Sequence, residues 1–157
     1  MVSLQIRKAQ PQDATGIASV LRDVGWFAHI NEEAPDSTAE RIGRYLTMCL
    51  ADDSHSVYVA ESENVVVGYI ATHWLPYLMM RGPEGFISEL FISEAARGQG
   101  IGTQLFKTIE EEARARGCSR LGLLNGRIRD SYQREFYKKN GWIERDDMVS
   151  FVLPLNP

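Results

Sequence analysis

Apolar and polar positions change period several times along the chain, and each change marks an element. "SLQIR" alternates with a period of two, as a half-buried strand does. Pro11 follows, at a position that opens a helix, and Ile17, Val20, Leu21 and Val24 then recur at helical spacing. "GWFAHINEEAPD" loses that period and reads as a loop carrying Trp26 and Phe27. Ser37 and Glu40 make a capping-box pattern for a helix striped by Ile42, Tyr45, Leu46, Cys49 and Leu50. "HSVYVAE", a turn at Glu63 and Asn64, and "VVVGYIATHW" predict a β-hairpin, and "GFISELFIS" a third strand. A helix of about four turns comes next, with Ile101, Leu105, Ile109 and Ala113 on one face and Gly117 as its stop. "SRLGLLN" predicts a short buried strand and "RDSYQREFYKKNG" a helix ending at Gly141. "MVSFVLPL" predicts a closing strand, with Val149, Phe151 and Leu153 on one side. The order β-α-α-β-β-β-α-β-α-β makes a mixed sheet flanked by helices, α/β (α+β) in class, in one domain over residues 1–157.

Length and charge narrow the function. A chain of 157 residues builds one proper core, and two domains would be cramped. A net charge of −4 gives no global reason to expect nucleic acid as a partner. No apolar run approaches the ~20 residues that a membrane helix needs. The start "MVSLQIRKAQ" lacks the charged-then-apolar layout of a secretory signal. Cys49 and Cys118 lie far apart and read as free, buried thiols. A cytoplasmic protein, without membrane or nucleic-acid partners, is expected. The three histidines are widely separated, and no Cys/His spacing supports zinc, so no metal is expected.

The candidate chemistry begins at Gly98, Gly100 and Gly102, between an apolar strand and a helix. Glycine costs about 1 kcal/mol against alanine inside a helix, so three of them weaken the start of a strong one. The first N–H groups of a helix lack internal partners and, with the helix dipole, bind anions such as phosphate. Glycine lets such a ligand approach the backbone, and Arg97 adds a positive charge beside it. A tight turn chosen only for packing is the alternative. Neither common nucleotide motif fits. Gly102 is followed by Thr103 and Gln104 rather than the Lys-Ser/Thr of a P-loop, and the spacing is G-x-G-x-G rather than G-x-G-x-x-G.

The spacing Arg97-x-x-Gly100-x-Gly102 resembles the pyrophosphate-binding motif of the GNAT superfamily of acyl-CoA N-acyltransferases. "LFISEAARGQGIGTQLF" is similar to that family's strand–loop–helix unit, and "FYKKNGW" to its later helix. The element order matches the family's mixed, mostly antiparallel sheet over nearly the whole chain. The resemblance implies acetyl-CoA as cosubstrate. Backbone groups of Leu90, Phe91 and Ile92 would meet the acyl carbonyl and pantetheine arm. Gly98, Gln99, Gly100, Ile101, Gly102 and Thr103 would hold the pyrophosphate, with Arg97 at its edge. Asn125 would contact the pantetheine arm, or serve only as a turn residue. Tyr137 falls where the family often has a tyrosine near the sulfur, as general acid; its alternative is packing beside Phe136. Asp130 stands where the family often has asparagine, and its charge is less welcome there.

The general base follows less directly. Ser88 occupies the position of the family's strand glutamate, and Glu89 comes one residue later. Side chains alternate along a strand, so Glu89 is expected on the other face, yet it remains the candidate base; Ser88 would position a water instead. For the acceptor site, Trp26, Phe27 and His29 offer an aromatic wall, while Glu32, Glu33 and Asp36 attract a cation. "HWLPYLMMRGPEG" is the second wall, with His73, Trp74, Tyr77, Met79 and Met80. The apolar "YLMM" reads equally as a homodimer contact. The expected function is transfer of acetyl from acetyl-CoA to a primary amine of a small molecule, peptide or protein. An acyl-CoA sensor of the same fold is the second reading, and a nucleotide-binding module of another fold the third.

Overall fold

The computed structural model describes residues 3–156. Five strands form one sheet in chain order: β1 (Leu4–Lys8), β2 (His55–Ser62), β3 (Val65–Leu75), β4 (Glu84–Ile92) and β5 (Arg120–Leu123). The first four are antiparallel and β5 runs parallel to β4. The helices of this part are α1 (Ala14–Val24), α2 (Ala28–Glu32), α3 (Pro35–Cys49) and α4 (Ile101–Ala115). The fold is the expected α+β class, a mixed and mostly antiparallel sheet flanked by helices. The chain divides into two compact units, one ending at Leu124 and one beginning at Asn125.

Sequence chemistry explains the boundaries. Gln10 and Asp13 cap each other reciprocally around Pro11, so the chain turns from β1 into α1 through one 3₁₀ turn. Glu63 and Asn64 both take positive φ, 51° and 63°, as a two-residue turn between twisted strands requires. The capping box expected at Ser37 does not form. Pro35 starts α3 two residues earlier, and Thr38 turns its hydroxyl to Glu33 at 2.8 Å. The segment read as a loop holds one short helix, α2.

Alternation along the strands divides the core. Val57, Val59, Tyr69 and Ala71 pack with Ile17, Val20, Leu21, Ile30 and Leu46 of α1, α2 and α3. The intervening residues Ile70, Thr72 and Trp74 face the other way, where α4 buries Ile101, Leu105, Phe106, Ile109 and Ala113. On that second face Glu112 accepts hydrogen bonds from Ser56 (2.7 Å), Tyr58 (2.8 Å) and Arg116. The Trp74 indole donates to Ser56 at 2.9 Å, and the Arg116 guanidinium lies 4.6 Å from the Trp74 ring. Burial pushes the Glu112 carboxyl up, but hydrogen bonds from Ser56, Arg116 and Tyr58 outweigh it and hold the group below the usual range.

The second unit departs from expectation in two places. Residues 130–139 form two short turns, α5 (Asp130–Gln133) and α6 (Phe136–Lys139), rather than one helix. Glu135 between them takes φ 55°, which ends helical hydrogen bonding for a non-glycine residue. "MVSFVLPL" forms no strand among the described residues, and Phe151 is 91% exposed. Apolar alternation is not sufficient for a strand, because a ladder also requires a neighbouring backbone to receive its N–H and C=O groups.

Candidate active site

The site is built around an irregularity in β4. Ala71 pairs with Glu89 but Thr72 pairs with Ile87, so Ser88 is an extra residue with no partner across the ladder. Such a bulge resets the alternation of side chains. Glu89 therefore lies opposite Ala71, on the face of α1 and α3, and not on the far face as simple alternation from Ser88 predicts. The Tyr69 hydroxyl donates to its carboxylate at 3.0 Å. Glu89 is open to water yet crowded by neighbouring protein. That burial raises its pKa, and the Tyr69 hydrogen bond partly opposes the rise. Tyr69 itself is held well above the ordinary phenol value, by burial and then by the Glu89 charge, and stays a neutral donor.

Aromatic side chains wall the same face. Trp26 and Phe27 each meet Phe91 edge to face, with ring centroids 5.6 Å apart in both pairs. Tyr69 closes on Phe91 at 5.9 Å, and His29 lies beside Phe27 at 6.3 Å. Phe91, expected to offer only its backbone, is thus the centre of the cluster. His73 also belongs to this face. Its Nε2 is 2.8 Å from Ser88 Oγ, and its ring contacts His55. Burial, then the nearby His55, lowers its pKa. Trp74 does not wall this site, because strand alternation turns it to the α4 face. Tyr77 lies in the connection after β3, 43% exposed.

Glu33 is not available to attract a cation. Arg41 grips both of its oxygens, at 2.6 and 2.5 Å, and with the Thr38 hydroxyl holds its pKa down at about 2. Arg22 of α1 donates to the Glu33 carbonyl and to Thr38, so this group fixes the joint between α2 and α3.

The ladder between β4 and β5 ends at Ile87 and Leu123, whereas β4 runs on through Ser88–Ile92. That stretch of edge leads to the glycine turn. Gly98 and Gly100 both take φ 75°, and a Cβ added at either meets nothing within 4 Å. Gly100 caps α4, and the first helical hydrogen bond runs from Gln104 N–H to the Gly100 carbonyl. The N–H groups of Ile101, Gly102 and Thr103 therefore have no acceptor within the helix. Arg97 Nε donates to the Ile92 carbonyl at 3.3 Å, and the Gln99 amide to the Ala95 carbonyl. An open strand edge ending in a bare, N–H-rich turn fits a ligand with an amide-bearing arm and a phosphate.

In the second unit the Asn125 carbonyl oxygen accepts from Ser131, while its buried Nδ2 has no hydrogen-bond partner. Tyr137 stacks edge to face with Phe136 and with Trp142. Burial raises its pKa, against smaller opposing effects of Arg134 and Ser131. Asp130 pairs with Arg134 at 3.0 Å, which offsets the charge that set it apart from the expected asparagine. Sequence reasoning missed Tyr69 and His55. Their chemistry follows from cross-strand register, which no local pattern records.

Comparison with known proteins agrees with this geometry. Residues 21–142 match the family described as "Acetyltransferase (GNAT) family". A thialysine N-epsilon-acetyltransferase of Bos taurus is 25% identical over 155 residues, covering 90% of this chain and 91% of that protein. An L-methionine sulfoximine/L-methionine sulfone acetyltransferase of Pseudomonas aeruginosa is 31% identical over 119 residues, covering 74% and 67%. A crystal structure described as a transcriptional regulator from Bacillus halodurans superposes with a TM-score of 0.83 at 25% identity, covering 96% of this chain and all of that one. No helix among the described residues is long and apolar enough to cross a membrane. With the family match running across both units, the chain belongs to the GNAT family of acetyltransferases, which use acetyl-CoA.

Proposed function

We propose that the protein acetylates a primary amine on a small molecule, with Glu89 as general base and Tyr137 as general acid. The observation that carries this reading is the β4 bulge. It brings Glu89 to the face walled by Trp26, Phe27 and Phe91, beside the strand edge that leads to the glycine turn. The two relatives support a small acceptor, being named for thialysine and for L-methionine sulfoximine or sulfone. Residues 1–157 act as one catalytic domain in this reading, in the cytoplasm.

Acetyl-CoA supplies an acetyl group activated as a thioester. The first-turn N–H groups after Gly100, with Arg97, hold its phosphates, and the backbone of Leu90–Ile92 and the unpartnered amide of Asn125 bind the arm. The aromatic wall excludes water and takes the carbon skeleton of the acceptor, with His29 and Tyr77 at its margin. An amine is protonated at neutral pH and must lose a proton before it attacks. A carboxylate whose pKa is raised is a better base for that step, and Glu89 meets the condition. A phenol whose pKa is raised stays protonated and can donate to a departing thiolate, and Tyr137 meets that one.

The test is free-thiol release from acetyl-CoA across a panel of small amines, amino acids, polyamines, aminoglycosides and N-terminal peptides. Release with a small-molecule class alone supports the reading. Release only with peptides overturns the acceptor assignment, and coenzyme A binding without release overturns the catalytic one.

A further inference from the structure

Conversion of an ammonium to an amide removes two protons from nitrogen, while the departing sulfur takes back one. Each turnover must therefore deliver a proton to bulk water. A single carboxylate accepts one proton at a time, so a second acceptor facing the same space has a use. This inference rests on the amine-acetylation reading above.

A polar line leads away from the bulge. Ser88 Oγ lies 2.8 Å from His73 Nε2 and 3.4 Å from the Ala71 carbonyl, so His73 is its principal partner. The His73 and His55 rings meet edge to face, 4.6 Å between centroids. His55 Nδ1 is 2.7 Å from Ser54 Oγ, and Ser54 commits its hydroxyl proton to the Asp52 carboxylate. The Ser54 N–H donates to the same Asp52 oxygen, and the Ser54 carbonyl accepts from Trp74 N–H. With its own proton so committed, Ser54 Oγ accepts from His55 Nδ1–H, and Nε2 is left as the basic nitrogen of His55.

We propose that Ser88, His73 and His55 form a proton exit from the acceptor site to solvent. An N–H bond of the acceptor breaks and an O–H bond forms at Ser88, as the proton already on Ser88 passes to His73 Nε2. The imidazolium of His73 then loses its Nδ1 proton to water at the His55 edge and returns to neutral as the Nε2–H tautomer. Exchange with water back to the Nδ1–H tautomer and rotation of the Ser88 hydroxyl reset the line with no reactant other than water. Glu89 takes the other proton of the pair. Ser88 and Glu89 are adjacent on the bulge, and their partners His73 and Tyr69 lie on the same face of β3. His55 of β2 is the titratable group in contact with His73; Asp52, in the turn before β2, acts on His55, and Glu89 of β4 faces Tyr69 of β3 and Cys49 at the end of α3. The lowered pKa of His73 keeps it neutral, and able to accept, at neutral pH. Lowering the pH through that value closes the exit.

Two measurements test the exit together. NMR titration of His73 in the ligand-free protein gives its pKa in wild type, Ser88→Ala and His55→Gln. The pH dependence of kcat and kcat/KM is then measured for these proteins, His73→Gln, His73→Ala and Glu89→Gln. The exit predicts that His73→Gln and Ser88→Ala each lower kcat about tenfold or more, with acetyl-CoA KM unchanged. It predicts that His55→Gln raises the His73 pKa and moves the acid limb of the rate profile upward in step. Added imidazole restores rate to His73→Ala. A wild-type kcat and pH profile in both His73→Gln and Ser88→Ala overturns the exit, whatever Glu89→Gln does. A normal Glu89→Gln beside an impaired His73→Gln removes Glu89 as base and leaves the exit standing. Absence of acetyl transfer to any amine removes both.

Discussion

Gly100→Val separates the phosphate-binding role of the glycine turn from its role in the fold. Gly100 has φ 75° and caps the start of α4, and Gly117 has φ 70° just beyond its end. A Cβ at either position meets nothing within 4 Å, so neither substitution clashes within the protein. Both force a side chain into the left-handed region at a cost of at least about 1–2 kcal/mol. That is a fraction of the roughly 5–15 kcal/mol that holds a domain together, so both variants fold. Their consequences for coenzyme A differ. Each hydrogen bond from a first-turn N–H to a charged phosphate contributes about 1.5–3 kcal/mol. A side chain that displaces one or two of them costs about 2–5 kcal/mol of binding, or roughly 30- to 4,000-fold in Kd. Titration calorimetry with coenzyme A measures the affinity, and denaturant unfolding measures the stability. The expected result is similar destabilisation in Gly100→Val and Gly117→Val, with affinity lost only in the first. Equal affinity in the two variants refutes the phosphate-loop reading.

Other outcomes follow from the same geometry. Tyr137→Phe should lower kcat by about 10²-fold with acetyl-CoA KM unchanged; an unaltered kcat in steady-state assays assigns Tyr137 to packing against Phe136 and Trp142. Arg41→Ala should loosen the α2–α3 joint and raise the acceptor KM more than the acetyl-CoA KM. The Glu33 pKa lies below its ordinary value, so the joint's ion pair is fully present above pH ~4.5 and is lost as the pH falls toward about 2, which hydrogen exchange across residues 28–41 would report. Glu112→Ala should cost about 2–3 kcal/mol in denaturant unfolding, because it strips Ser56, Tyr58 and Arg116 of a charged partner on the α4 face. The depressed Glu112 pKa gives the same sign: its contribution is present above the ordinary carboxylate range and is lost as pH falls through the lower folded value.

What could be read from the sequence was whatever short-range chemistry decides. Glu63 and Asn64 announce their turn because few residues accept positive φ twice in succession, and the structure has both. The glycine turn, the start of α4 and its stop at Gly117 are equally local. The face of Glu89 is not. It depends on the β3–β4 register, in which Ala71 meets Glu89 but Thr72 meets Ile87, and alternation counted within β4 alone gives the wrong side. The same limit explains Trp74, whose place opposite Arg116 and Ser56 follows from the sheet, and Glu33, whose charge is taken by an arginine on another element. Helical periodicity in residues 130–139 did not foresee the break at Glu135. The turns there bury no side chain completely, with Phe136 and Tyr137 only partly covered, so no fully packed face enforces a continuous helix.

The central claim is that Glu89, brought round by the bulge, deprotonates a small primary amine. Acceptor-dependent thiol release from acetyl-CoA, measured side by side for wild type and Glu89→Gln, tests it most directly. The predicted result is release by wild type with a small primary amine, and a kcat at least about 10²-fold lower in the variant, with coenzyme A affinity the same in both. Equal rates across the pH range would contradict the claim and return Glu89 to the role of a hydrogen-bond partner for Tyr69.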